Sequence, residues 1–352
     1  MRSREPAILR GVQIASPFFL APINPGLAVN GSPTPRFCRF FERRSGNGIG
    51  ICYVGNVAIS PDRASNSTTA TIKDTDRDTW SSLAAAISCA GSLPGIQLAC
   101  GPSSANPSRA WVGEAEAFVE AARSEILSMP GTQLETIVSL FVRQAQVAVE
   151  AGFRVIQIHA AHGYLLAKLL SRRINCRSDQ YGDDPLFILD LIVSGVRDRC
   201  PDALLDVRVS RLEGLEEREE DRYRRDLILR LARLNIDIIS LTNGVYDVSK
   251  RLIYPSAAWG HAPFVASAVP YARQAPDKVW NVCGNIWNPA LIDLENLPSN
   301  LTFSVGRALI ADPALLGGKW ERNREPLCNR CDQCHYYSCG RTEVFCPRNP
   351  DL

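Results

Sequence analysis

The chain has 352 residues, of which 45% are apolar and 22% charged. Its 39 lysines and arginines nearly cancel 37 acidic residues, leaving a formal charge of +2. That balance gives no electrostatic reason to expect nucleic acid or an anionic membrane as partner, and no apolar run reaches the length of a bilayer span. The first ten residues carry charges and no long apolar stretch, so no signal peptide and a cytoplasmic location are expected. Twelve cysteines in so large a chain imply reduced thiols or metal ligation rather than a disulfide framework.

Residues 18–23 read as a first buried strand, ended by Pro22, Asn24, Pro25 and Gly26. A turn at 30–34 leads into a helix over 36–45, and 48–54 is a second strand, followed by Gly55-Asn56-Val57-Ala58. Residues 80–90 have helical spacing and many alanines. A third strand, 95–100, contains Gln97. Residues 101–133 then form a Ser/Pro/Gly-rich excursion, long enough to be expected as a lid or binding loop. Apolar positions 134, 137, 138, 141, 145, 148 and 149 mark one face of a helix over 134–151, ended by Gly152.

The stretch 154–164 carries the densest chemistry. Residues 154–158 read as a short buried strand, and His159, His162 and Tyr164 follow at its carboxyl end. Two imidazoles can donate hydrogen bonds to one oxyanion or carbonyl, and a nearby phenol can deliver a proton. A short helix at 165–170, a polar loop at 175–182 and a helix at 187–199 come next. The strand 205–209 holds Arg208, a buried cation that needs an anionic partner, either a ligand or a carboxylate. The highly charged run 213–225 is expected as a solvated loop and helix start, completed by 227–234. After a strand at 236–241, residues 242–275 read as a second long loop. Its aromatics Tyr246, Tyr254, Trp259 and Phe264 either line a pocket or pack the loop down. Strands at 278–282 and 301–305 lead to Gly284-Asn285 and Gly306-Arg307. No Gly-x-Gly-x-x-Gly element accompanies them, which argues against a built-in dinucleotide domain.

The last thirty residues read Cys328-x2-Cys331-x2-Cys334-x4-Cys339-x6-Cys346, then Pro347-Arg348-Asn349-Pro350. Spaced thiolates of this kind are a metal-site pattern, and four of them suit an iron–sulfur cluster or zinc.

The run Ile158-His159-Ala160-Ala161-His162-Gly163-Tyr164-Leu165-Leu166, with Leu170-Ser171, Asn175, Arg177 and Asp179-Gln180-Tyr181-Gly182, resembles the signature of the old yellow enzyme family. The resemblance runs from about residue 9 to residue 350. It implies an α/β fold, a (β/α)8 TIM barrel binding FMN, over residues 1–322. A cysteine-rich extension over 323–352 would pack on that barrel. The tail makes the barrel domain of 2,4-dienoyl-CoA reductase and trimethylamine dehydrogenase the nearest branch.

Carried over residue by residue, the resemblance puts Pro22, Asn24 and Asn56 against the flavin. Asn24 stands where the family has Thr or Cys beside N5, and Asn56 lies in a segment that the family builds from Glu, Gly or Ala, and Thr or Ser. Gln97 would meet the pyrimidine edge and Arg208 the N1–C2=O region. Gly284, Asn285, Gly306 and Arg307 would hold the phosphate. Glycine backbone, a helix N-terminus and a bidentate donor suit that task physically. His159 and His162 would hold the carbonyl of an activated alkene, and Tyr164 would protonate it. Cys328, Cys331, Cys334 and Cys346 would ligate a [4Fe–4S] cluster, with one residue fewer between the second and third than the branch has, and with zinc as the alternative.

The expected activity is therefore reduction of an enone or enoate by FMN. NAD(P)H or a separate reductase protein would supply electrons, because the branch's C-terminal FAD/NAD(P)H module does not follow Leu352. Two other readings stand beside it. One is a specialised dehydrogenase or desaturase of a dedicated metabolite. The other is an electron-transfer or structural FMN and iron–sulfur subunit of a complex. A small-molecule substrate is expected, and homo-oligomerisation stays open.

Overall fold

The computed structural model describes residues 7–101, 109–215, 219–317, 323 and 325–352. Eight parallel strands form a closed barrel: β1 (Phe18–Ile23), β2 (Ile51–Ala58), β3 (Leu93–Ala99), β4 (Val155–Ala160), β5 (Leu204–Leu212), β6 (Ile238–Asn243), β7 (Val279–Cys283) and β8 (Leu301–Val305). Closure comes from β1, which pairs with β8 through Ser304↔Phe19 and with β2 through Leu20↔Cys52.

The connecting helices include α1 (Pro35–Glu42), α2 (Arg77–Cys89), α3 (Ala115–Ser128), α4 (Gly131–Glu150), α5 (Leu165–Leu170), α6 (Phe187–Arg199), α7 (Glu220–Leu231), α8 (Val265–Gln274) and α9 (Arg307–Ala311). The expected (β/α)8 barrel is the observed fold. Covered by helices outside and by a packed interior inside, the strands carry near-continuous apolar runs. The largest buried cluster lies between strands and helices, with Trp80, Phe141 and Phe153 fully enclosed.

Inside the barrel, side chains alternate with period two and stack in layers. Phe19, Ile51, Tyr53, Val155, Leu204, Ile238 and Val279 form an apolar floor. An antiparallel hairpin, Ala7–Leu9 with Val12–Ile14, closes it from below through Leu9, Val12 and Ile14. Two residues further along the strands, Gln97, Gln157, Asp206 and Ser240 form a buried polar layer. One more step brings His159, Arg208, Thr242 and Cys283 to the carboxyl end of the barrel.

Three expectations are corrected. The excursion 101–133 contains α3 and the first residues of α4, apart from 102–108, which lie outside the described residues. Val119, Ala122 and Ile126 bury one face of α3, and Pro130 separates the two helices. The loop 242–275 contains a short helix, Lys250–Ile253, and α8. The run 213–225, described except for 216–218, is not simply solvated: Glu213, Glu220 and Arg224 are buried. Arg224 donates from Nε to the Ser210 carbonyl at 2.9 Å and sits 3.6 Å from Glu213, while Gly214 N–H donates to Glu220 at 3.0 Å. These charges tie down the end of β5.

The expected domain boundary at 322/323 abuts residues 318–322, which lie outside the described set. The tail beyond lies against the barrel. Val344 N–H donates to Pro25 O at 2.8 Å, Arg36 pairs with Glu343 at 2.9 Å, and Asn349 Nδ2 donates to Ile310 O at 2.8 Å. Among the described residues no helix is long and apolar enough to cross a membrane.

Candidate active site

The carboxyl ends of the strands open into a cavity of about 220 Å³. His159, His162 and Tyr164 line it, as do Pro22, Asn24, Asn56, Gln97, Arg208, Gly284, Asn285, Gly306 and Arg307. The structure therefore brings all twelve of these sequence-derived candidates to one place.

β4 delivers the trio through a sharp turn. His162 adopts a left-handed conformation with φ 63° and Gly163 one with φ 79°, which reverses the chain so that both flanking rings face the cavity. The His162 backbone N–H donates to Ser210 Oγ at 3.2 Å, and its ring Nε2 is 2.9 Å from Thr242 Oγ1. The His159 ring lies 5.0 Å from the His162 ring and 4.7 Å from that of Tyr164, each edge-on. Burial, then the nearby Arg208 charge, pushes the His159 pKa well below the usual range. Burial, His159 and Arg208 do the same to His162. Both are neutral imidazoles at pH 7 with a single N–H each, and His162 has its N–H at Nδ1 to give when Nε2 accepts from the Thr242 hydroxyl. Burial pushes the Tyr164 phenol up, so it holds its proton, and Asn56 Nδ2 donates to its oxygen at 3.2 Å.

Four buried polar atoms on residues lining this cavity have no hydrogen-bond partner among the described residues: Arg330 Nε and His335 Nε2 from the tail, and the neighbouring pair His159 Nδ1 and Arg208 Nε at the ends of β4 and β5. Arg208 reaches Thr242 Oγ1 and Cys283 Sγ, each at 3.4 Å, and pairs with no carboxylate among the described residues. Leaving such groups unpaired is costly, and an anionic or carbonyl-bearing ligand would satisfy both His159 and Arg208. A flavin, with its carbonyl edge and the negative charge it gains on reduction, fits that requirement.

The other candidates are partly committed. Asn24 Oδ1 accepts from Gly26 N–H at 3.0 Å and its Nδ2 donates to Thr69 at 3.1 Å, so it forms a turn while lining the cavity. Asn285, at φ 49°, donates to the carbonyls of Ser256 and Gly260 and accepts from Arg307. Arg307 also pairs with Asp332 of the tail at 2.7 Å and donates to Pro255 O at 2.6 Å. Of the four loop aromatics, Tyr246 and Tyr254 line the cavity and are hydrogen-bonded to each other. Trp259 and Phe264 pack together instead.

The tail contributes more than the cysteine spacing suggested. Arg330, His335, Tyr336, Tyr337 and Ser338 also line the cavity. The His335 ring lies 3.6 Å from that of Tyr254, and Tyr336 accepts from Asn66 at 3.2 Å. The only sequence signal for this was the cluster His335-Tyr336-Tyr337 between cysteines. The cysteines differ in surroundings: Cys328 and Cys334 line the cavity, Cys331 is exposed and Cys346 is buried. Burial pushes the Cys334 thiol up to about 12 and raises that of Cys328. Among the described residues, no three His, Cys, Asp or Glu side chains are grouped to hold a metal ion. In this arrangement the four cysteines do not form a ready metal site.

Comparisons with known proteins identify the family. The chain is 27% identical over 298 residues to NADPH dehydrogenase of Bacillus subtilis, covering 81% of this chain and 83% of that one. It is 26% identical over 346 residues to NADH oxidase of Thermoanaerobacter brockii, covering 90% of this chain and 51% of that one. The structure superposes on a 2-naphthoyl-CoA reductase in complex with 2-naphthoyl-CoA with a TM-score of 0.81. That match has 17% identity and covers 99% of this chain and 56% of that chain, a likeness of fold. The chain thus spans about half the length of its larger relatives. The family model described as NADH:flavin oxidoreductase / NADH oxidase matches residues 26–325, and the chain belongs to that family of flavin-dependent oxidoreductases.

Proposed function

We propose that the chain is an FMN-dependent oxidoreductase that reduces an activated C=C bond of a small enone or enoate. The observation that carries this reading is the pair of neutral, buried imidazoles beside a protonated phenol at the end of β4, facing a cavity in which Arg208 has no carboxylate partner among the described residues. FMN, when bound, supplies the hydride for the β-carbon. His159 and His162 each donate a hydrogen bond to the substrate carbonyl and stabilise the enolate oxygen as charge develops there. Neutral imidazoles suit this role because they hold their protons rather than surrendering them. Tyr164 gives its proton to the α-carbon, a step for which a weak acid kept protonated by burial is adequate against a strongly basic enolate. Arg208 would set its positive charge against the N1–C2=O region of the bound cofactor, and Gln97 would meet its pyrimidine edge. Pro22, Asn24 and Asn56 would flank the ring, with Gly284, Asn285, Gly306 and Arg307 around the phosphate.

NAD(P)H, or a separate reductase protein, supplies the electrons in this reading. The tail, residues 323–352, is a distinct cysteine-rich unit. Its thiols, rearranged from the positions described, would bind iron–sulfur or zinc, and no catalytic step depends on it. A second reading, a specialised dehydrogenase of a dedicated metabolite, is favoured by one observation. Asn24, where the family has Thr or Cys, is held in a turn by Gly26 and Thr69 rather than left free.

The test is an anaerobic absorption spectrum with iron and zinc analysis, followed by turnover of a simple cyclic enone with NADPH. Flavin bands and alkene reduction that disappears in Tyr164→Phe, with flavin retained, support the proposal. A Tyr164→Phe variant with the full alkene-reducing rate would overturn the acid assignment. Absence of flavin binding would overturn the whole reading.

A further inference from the structure

Gln97 on β3, Gln157 on β4 and Asp206 on β5 occupy matched positions on three adjacent strands, since Gln97 pairs in register with Gln157 and Gln157 with Asp206. All three point into the barrel and all are buried, Asp206 completely. Their side chains form one chain of hydrogen bonds. Gln157 Nε2 donates to Asp206 Oδ2 at 2.5 Å and to Ser240 Oγ at 3.2 Å, and Gln97 Nε2 donates to Gln157 Oε1 at 2.6 Å. Tyr53 and Ser240 hydroxyls donate to the same Asp206 oxygen at 2.6 and 2.8 Å.

An amide can be turned end for end with little change of shape, and what normally decides its orientation is its partners. Here one end of the chain is a carboxylate, which only accepts. Three donors, from Gln157, Tyr53 and Ser240, converge on Asp206 Oδ2, so that oxygen accepts even where burial, which pushes the carboxyl up to about 6, leaves a proton on Oδ1. Gln157 must therefore turn its NH2 toward Asp206, because the opposite orientation would set two acceptor oxygens 2.5 Å apart. That leaves Gln157 Oε1 facing Gln97, which must in turn present its own NH2. The remaining end of Gln97, the carbonyl oxygen, is left for the cavity that Gln97 lines.

We infer that Asp206, acting through Gln157, is a positioning residue that fixes the polarity of Gln97, so that the cavity floor offers an acceptor oxygen to a ring N–H of the ligand. The identity of that ligand rests on the flavin reading above, in which the N–H is the one at N3 of the pyrimidine edge. The relay itself does not.

The test compares binding of FMN with binding of an analogue that has C–H in place of the N3–H, an isosteric loss of one donor. Wild-type protein is expected to prefer FMN by about tenfold, the size of one well-placed hydrogen bond. Asp206→Leu and Gln157→Leu release Gln97 to turn its NH2 upward and reduce the preference to about twofold or less. Asp206→Asn keeps an oxygen acceptor for Gln157 and keeps the preference, a rescue that a merely structural role would not give. If folded Leu variants retain the wild-type preference, the inference is wrong. A readout without flavin covers variants that bind no cofactor and a wild type that binds none. The Gln97 side-chain amide protons, identified by their loss in Gln97→Glu, exchange slowly in wild type and fast in Gln157→Leu. A protected amide in a protein that binds no flavin keeps the relay and removes the flavin reading. An unprotected amide in wild type removes the relay.

Discussion

Asp332, four residues past Cys328, holds Arg307 at the start of α9 in an ion pair of 2.7 Å and Arg251 in another of 2.6 Å. A carboxylate from the tail thus sits on the guanidinium that the cofactor phosphate is proposed to use. If the phosphate binds there, it shares Arg307 with Asp332 or displaces it. Asp332→Asn is expected to tighten FMN binding by about three- to tenfold, the effect of removing one competing charge at a largely enclosed site. Arg307→Leu is expected to weaken it by more than tenfold. Isothermal titration of both variants checks the pair of signs. Weaker binding in Asp332→Asn would show that the carboxylate aligns Arg307 rather than competing for it.

All four histidines of the chain are pushed below their ordinary range, chiefly by burial: His159, His162 and His335 far below it and His261 to about 4. The folded protein binds fewer protons at these sites than the unfolded chain. Their contribution to stability is complete above pH 6.5 and is lost as pH falls toward the folded values. Asp206, raised to about 6, acts oppositely between its ordinary value of 3.8 and 6, but it is one group against four. Stability is expected to fall between pH 7 and 5. His159→Gln is expected to shallow the slope by on the order of 1 kcal/mol per pH unit. Urea titrations at three pH values measure this. A slope unchanged in His159→Gln would mean that this imidazole titrates normally.

The buried charges at the end of β5 give a larger stability effect. Arg224 is fully enclosed, donates twice to Ser210 O and lies beside Glu213, itself buried. Arg224→Met removes the cation and leaves a carboxylate and a strand-end carbonyl short of a donor. The expected loss is about 3–5 kcal/mol, read from denaturant midpoints at constant slope. A loss under about 1 kcal/mol would fit the solvated loop expected from the charge pattern.

That contrast shows where the sequence is legible and where it is not. The barrel strands are readable because both their faces are covered, and apolar runs such as Val155, Ile156 and Ile158 record that directly. Their carboxyl ends are not. β2 continues through Gly55 and Asn56 to Ala58, and β5 continues to Leu212, because site residues interrupt the apolar signal. Pro270 inside α8 hides a helix that packing maintains. The run 213–225 looked solvated because charge pattern carries no information about tertiary partners. The His159, His162 and Tyr164 positions were readable from local spacing. The wall formed by His335 and Tyr336 was not, since it depends on where the tail folds back.

Gly163 separates the two halves of the proposed acid–carbonyl machinery and offers the sharpest local test. Its φ is 79°, and a Cβ there would lie 2.7 Å from Val245 Cγ1 and 3.2 Å from Phe118 Cζ. The strain of a left-handed alanine and the clash act together, and only the turn or the Val245 segment can yield. Tyr246 N–H donates to His162 O at 3.2 Å, so movement of that segment carries His162 with it. Gly163→Ala is expected to cost about 1–3 kcal/mol of stability. Because a displacement near 1 Å in a positioned group can cost about a hundredfold in rate, kcat should fall by that order while flavin affinity, set by other strands, stays within about twofold. The measurement is kcat for enone reduction alongside FMN titration. A variant that loses flavin and turnover equally would show that the β4 turn supports the whole cavity, and one that loses neither would show that Val245 simply moves aside.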